Sequence, residues 1–211
     1  MANLNIPNTA DRTLDAFKGR MVGGGARPNL FECELYFPDD AIPTDASKDE
    51  ISDKVRFLVK SAVLPASTIT NIDIPFRGRQ LKIAGDRTFA PWNIQIINDV
   101  DFGIRTAFER WSNLINKHED NAGRTNPVDY QQDMFVRQLG RSSLQGNVPT
   151  SGVQVPVLKM YKFIGAYPTT IGEIALSYDT GDAVEVFDVE MTYQWYDTLD
   201  PSGKSQIGTG S

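Results

Sequence analysis

The chain holds one cysteine and one histidine in 211 residues. A lone Cys33 excludes both an intramolecular disulfide and a cysteine-rich zinc site, which fits a reducing compartment or a fold that needs no staples. It lies between Glu32 and Glu34 in an apolar alternation and reads as a small buried hydrophobe, since neighbouring acids disfavour a thiolate. His118 by itself excludes a histidine-rich metal centre, and any Ser-His-Asp triad would have to use it. It stands at the polar end of a helical pattern with no Gly-x-Ser-x-Gly elbow, so a solvated surface residue is expected. No stretch approaches the roughly 18 consecutive apolar residues of a membrane span, and Met1 to Pro7 lack the basic start and apolar run of a signal peptide. Synthesis in a cytoplasm and use without membrane insertion are expected. A basic run is missing too. The 21 Lys and Arg are scattered through a chain of net charge −6, so tight binding to phosphate backbones is not indicated. An acidic wall would instead let DNA pass without adhering.

Recognisable catalytic patterns are equally scarce. Gly23-Gly24-Gly25 lacks the Gly-Lys-Ser/Thr ending and the strand-to-helix setting of a phosphate loop and reads as a hinge. The acidic stretch 39–53 lacks the ligand rhythm of an EF-hand. Asp188 and Glu190 fall side by side on one strand face, but glycosidase carboxyls must face each other across a sugar, and no cleft is indicated. No catalytic residue, metal or cofactor is expected, and the chain is read as something other than an enzyme.

What is present is alternation. Phe31, Cys33, Leu35 and Phe37 alternate with polar neighbours from Asn29 to Phe37 and predict a half-buried strand, closed by Pro38. Residues 38–54 look too polar to pack and read as a long loop. Val55, Phe57 and Val59 predict a second strand running on to Pro65, and Ile69, Ile72 and Ile74 a third. A short strand follows at Gln80 to Ile83, and Gly85-Asp86 reads as a turn before a strand with Trp92, Ile94 and Ile96 on one face. One helix is clear. Ile104, Ala107, Phe108, Trp111, Leu114 and Ile115 recur at helical spacing after Asp101, a plausible N-cap, and the pattern frays at Asp120 to Gly123. The last third returns to strands: Gln132 to Leu139, Val153 to Phe163 followed by turn signals at Tyr167-Pro168 and Ile171-Gly172, a short mixed segment Glu173 to Tyr178, and Glu185 to Tyr196. In that final strand Phe187, Val189, Met191, Tyr193 and Trp195 take one face, and Asp188 and Glu190 the wet one. The domain reading is a flexible N-terminal arm 1–28, a β domain 29–197 carrying the polar loop 38–54, and a flexible C-terminal tail 198–211.

Several phrases in order resemble the tail tube proteins of contractile-tailed bacteriophages of the T-even type. They are Ala26-Arg27-Pro28-Asn29-Leu30-Phe31, Leu64-Pro65-Ala66, Ala84-Gly85-Asp86-Arg87-Thr88-Phe89 followed by Trp92, and Ile97-Asn98-Asp99 before the helix with Trp111. Val136-Arg137-Gln138, Pro168 to Glu173 and Phe187-Asp188-Val189 complete the set, which spans about Ala26 to Tyr196. The resemblance implies a mainly β fold, a β-sandwich or barrel-like tail tube fold with one flanking helix, similar to the tube protein of type VI secretion. It implies hexameric rings stacked into a genome conduit in the virion, assembled in the host cytoplasm. The implied partners are copies of itself, the tail sheath protein, baseplate and tail terminator proteins, and a tape measure protein and DNA in the lumen without sequence-specific binding. A baseplate tube initiator or related paralogue shares the pattern, and a β-sandwich module binding carbohydrate or protein through Trp92, Trp111 or Trp195 is the reading from another class. Asp188 and Glu190 are expected to face the lumen. Phe17, Arg27, Asp45, Asp49 and Glu50 are the expected contacts between subunits or rings.

Overall fold

A computed structural model describes residues 13–21, 25–44, 47–141, 155–179 and 181–206. Its centre is a seven-stranded antiparallel sheet folded over on itself along one long strand, β7 (Val157–Ile171). The first half of β7 lies between β6 (Gln132–Leu139) and β9 (Trp195–Leu199), with β1 (Phe31–Glu34) outside β6. The second half pairs with β8 (Val186–Thr192), followed by β5 (Trp92–Ile97) and β2 (Val59–Ala62). Apolar residues of the two halves meet inside. Trp92 stacks on Phe163 with ring centroids 4.4 Å apart, and Cys33, Met134, Ile94, Ile96, Phe187, Val189 and Met191 are buried with them. Period-two alternation produces this arrangement, because each strand turns its apolar set to the same interior.

Two helices close the core. In α3 (Gly103–Ile115) Ile104, Ala107, Phe108 and Trp111 are fully buried, and Phe37 packs edge-on against Phe108 and Trp111. The Trp111 indole N–H donates to the Tyr130 carbonyl at 2.7 Å, which satisfies its one polar atom. Asp101 does not cap this helix. The N-cap is Phe102 in a left-handed conformation, and the Asp101 carboxylate accepts from Lys54 at 3.3 Å instead.

The second packed helix replaces a predicted loop and a predicted strand. Within 38–54 the chain forms a 3-10 turn at Asp39–Ala41 and then enters α2 (Lys48–Leu58), and the strand begins only at Val59. Ile51 and Val55 are buried and Leu58 is half-buried, at i, i+4 and i+7, whereas Phe57 points out at 76% exposure. The alternation Val55, Phe57, Val59 is therefore accidental. Ser47 is the N-cap, its hydroxyl accepting from the Glu50 amide at 3.2 Å, a Ser-x-x-Glu pattern visible in the sequence.

Other boundaries shift for local reasons. Tyr167-Pro168 is no turn. It lies within β7 where the β6 side has ended, so a proline without an N–H is tolerated at that free edge, and the register to β8 slips between Pro168 and Thr170. Glu173 to Tyr178 forms no strand. The predicted strand 185–196 breaks after Thr192, and the slip at Tyr193-Gln194 turns Tyr196 inward and leaves Trp195 half exposed. Trp195 is thus not a core residue, unlike Trp92 and Trp111.

Candidate assembly surfaces

The largest departure from a closed globule is a hairpin. Strands β3 (Ser67–Phe76) and β4 (Arg79–Phe89) pair only with each other among the described strands. They continue the β2–β5 ladder outward, through bonds from Val63 N to Asn93 O and from Ala90 N to Ala66 O. Arg77 and Gly78 form the tip with φ of 46° and 78°, the two positive values of a type I′ turn that matches strand twist. Gly85-Asp86 is not a turn but a bulge inside β4. The register slips there, and a Cβ on Gly85 would meet Thr70 Oγ1 at 2.8 Å, so only glycine lets the strands approach.

Directly opposed residues of an antiparallel pair share a face. Ile72 faces Ile83, Ile74 faces Leu81, and Phe76 adjoins them, while Asp73 and Lys82 pair at 3.0 Å on the opposite face. The hairpin therefore has one apolar and one polar side. Its apolar side is uncovered: Ile72, Ile74, Phe76, Leu81 and Ile83 are between 43% and 66% exposed. A two-stranded ribbon is marginal alone, and an exposed apolar face with two unpaired edges is a template for association.

The expected site residues distribute unevenly. Asp188 is exposed and Glu190 half-buried on the outer face of β8, opposite Gln95 and Asn93 of β5, and Gln95 Nε2 donates to Asp188 at 3.0 Å. Asp49 and Glu50 are exposed in the first turn of α2. Phe17 is 60% exposed on a short helix, α1 (Leu14–Arg20), that buries none of its residues. Arg27 is exposed, its carbonyl accepting from Gln138 at 2.7 Å. Asp45 lies outside the described residues, as do parts of the predicted arm and tail, 1–12, 22–24 and 207–211. The hairpin face was not foreseen as a contact surface, although Ile72, Ile74 and Leu81 alternate with polar residues on both sides of Arg77-Gly78.

Charged groups support the fold. Glu32 and Glu34 of β1 are held by Arg56 of α2 and Arg137 of β6, and the hydrogen bond that Arg56 donates to Glu32 raises its guanidinium above its ordinary value. Lys54 reaches Asp101, Asp99 and Glu50 at 3.3, 3.6 and 3.8 Å, and its bond to Asp101 favours the charged ammonium. Burial, reinforced by Glu32, pushes the Cys33 thiol up to about 12, so no reactive thiolate forms there near neutral pH. His118 is exposed, and no group of three or more metal-binding side chains occurs among the described residues.

Residues 26–199 match the sequence model of the phage tail tube protein family. The chain belongs to that family. It is 26% identical over 175 residues to the tail tube protein gp19 of Enterobacteria phage T4, covering 83% of this chain and 93% of that protein. It is 27% identical over 183 residues to the tail tube protein of Serratia phage KSP90, covering 86% and 94%. A chain in the sheath-tube complex of the extracellular contractile injection system PVC has a similar fold, with a TM-score of 0.52 at 13% identity over 87% of this chain and 97% of that one. A chain of the anti-feeding prophage baseplate gives 0.51 at 13% identity, over 82% and 93%. The family's mainly β fold is the one described above, with α2 as a packed helix beyond the single flanking helix that the sequence foretold.

Proposed function

We propose that the chain is a non-enzymatic structural subunit of a bacteriophage tail tube, built from hexameric rings of this chain stacked into a hollow conduit for the genome. The observation that carries this reading is the projecting hairpin, apolar on one side and unpaired on both edges, in a chain of tail tube sequence. Covering that face with a neighbouring copy converts an aggregation hazard into ring closure or stacking. Among the described residues the outer edges of β1 and β2, the ends of the strand order, are unpaired as well.

On this reading Asp188 and Glu190 line the lumen, where like charge keeps DNA from adhering. The arm up to Pro28 and the segment 38–54 carry contacts to neighbouring subunits or rings through Phe17, Arg27, Asp45, Asp49 and Glu50. The tail sheath, baseplate, tail terminator and tape measure proteins are the remaining partners. Assembly takes place in the host cytoplasm, and the product resides in the virion.

Electron microscopy of the purified chain over a concentration series tests the reading. Rings or tubes with a central channel are expected. Protein that stays monomeric at every concentration, also when offered a tail baseplate to nucleate on, overturns it. A ring reconstruction with Asp188 and Glu190 on the outer surface would remove the lumen assignment alone.

A further inference from the structure

The hairpin carries a net positive charge in an acidic protein. Residues 67–89 hold Arg77, Arg79, Lys82 and Arg87 against Asp73 and Asp86, a net charge of +2 in a chain of −6, which leaves −8 on the remainder. The charge concentrates at the tip. Arg77 and Arg79 have no carboxylate within ion-pair distance among the described residues, and the Arg77 guanidinium lies over the Phe76 ring, 5.3 Å from its centroid. Ten residues of extended β3 carry this tip roughly 33 Å from the hairpin base.

A complementary surface lies on α2. Asp49, Asp53 and Phe57 recur at i, i+4 and i+8, all exposed, and neither aspartate forms an ion pair among the described residues. Beside them is a crevice of about 170 Å³ lined by Tyr36, Asp49, Ser52, Asp53 and Arg56, together with Glu34 and Leu35. The Ser52 hydroxyl in that lining is buried without a hydrogen-bond partner among the described residues, and Arg56 is already engaged by Glu32 and Glu34. The crevice lining sets three carboxylates, Glu34, Asp49 and Asp53, against the one guanidinium of Arg56, which leaves it acidic. Residues four apart on a helix stand about 5–6 Å from each other at Cβ, a spacing that guanidinium groups on either side of Gly78 can match.

We propose that the hairpin tip of one copy docks on the α2 face of another, with Arg77 and Arg79 paired to Asp49 and Asp53 and with Phe76 beside Phe57. This rests on the tube reading above and specifies which two surfaces of the chain meet. The two patches sit on different elements, so one copy can offer its hairpin to a second and its α2 face to a third; repeated head to tail, the contact closes a ring or continues a stack. Charge pairing sets its register and its salt sensitivity, and the apolar hairpin face supplies area.

Charge exchange tests it. R77E/R79E and D49K/D53K are each expected to lower the pelletable assembled fraction by roughly tenfold or more, because like charges then face each other. The quadruple variant is expected to recover assembly to within a few-fold of wild type. Full assembly of either double variant, or a quadruple variant no better than the doubles, overturns the pairing and leaves the tube reading standing. Wild-type protein that never assembles overturns both. A second measurement stands if a reversal variant fails to fold: D53C/R79C under mild oxidant is expected to give a ladder of disulfide-linked oligomers on a non-reducing gel, with neither D53C nor R79C alone doing so. An intramolecular bond only, or no bond in assembled material, overturns the proposal.

Discussion

At the scale of single residues, the interior is decided by a few large side chains and by one thiol with no chemistry to do. Trp92 is fully buried and stacked on Phe163 where the two halves of the sheet meet. Trp92→Ala is expected to cost about 3–5 kcal/mol in chemical denaturation, the usual range for deleting a buried large aromatic. Cys33 supplies a pH signature. Its thiol titrates near 9.0 when free and at about 12 in the fold, so the native state holds that proton longer than the unfolded chain. The resulting stability is complete below pH 9 and falls as pH rises toward 12, by on the order of 1 kcal/mol per pH unit. Tyr193, pushed up to about 12 first by burial and then by Tyr196, acts in the same direction. Cys33→Ala should flatten the alkaline limb of stability against pH, and thiol labelling at pH 8 should proceed only in denaturant. These residues are legible in sequence because alternation around Cys33 and Trp92 fixes their face. Trp195 is not legible, because the break at Tyr193-Gln194 that turns it outward arises from pairing with β7 and leaves no local mark.

At the scale of elements, α3 is readable from its stripe of Ile104, Ala107, Phe108 and Trp111, and β5, β6 and β8 from period two. The misreadings have physical causes. In α2 three alternating apolar residues imitate a strand, while the helix signal is spread over Ser47, Glu50, Ile51, Val55 and Leu58. In the hairpin, Gly85-Asp86 has the composition of a turn but serves as a bulge, and the true turn is Arg77-Gly78, whose arginine at positive φ is unusual for a type I′ turn. The hairpin is also the element whose role can be tested without disturbing the core. Each isoleucine buried in an interface contributes about 1.5–3 kcal/mol, so Ile72→Asn or Ile74→Asn should raise the protein concentration needed for assembly by roughly tenfold or more. Circular dichroism should change little, since both side chains are exposed in the single chain. Unfolding of either variant would show instead that the hairpin face is part of the subunit core. Gly85→Val should impair both readouts, because its side chain cannot fit beside Thr70.

At the scale of the whole molecule, the subunit is complete in its core and incomplete on its surface. Its interior is sealed by α2 and α3, yet an entire ribbon projects with an apolar side open to solvent, and the strand order ends on β1 and β2, whose outer edges are unpaired among the described residues. A globular protein with a finished surface would cover or charge such edges, whereas a repeating subunit leaves them for its copies. Self-assembly therefore follows from what the fold leaves unpaired, and the family match places that tendency in a phage tail. The carboxylates on the outer face of β8 and the cationic hairpin tip are separate charged patches. On the proposed function the first lines the DNA passage and the second makes a contact between copies. The most direct measurement is cryo-electron microscopy of the purified chain at high concentration. The account requires hollow tubes of stacked six-subunit rings with the apolar hairpin face buried between copies and Asp188 and Glu190 toward the channel. A uniformly monomeric protein, or an assembly in which the hairpins project free into solvent, would contradict it.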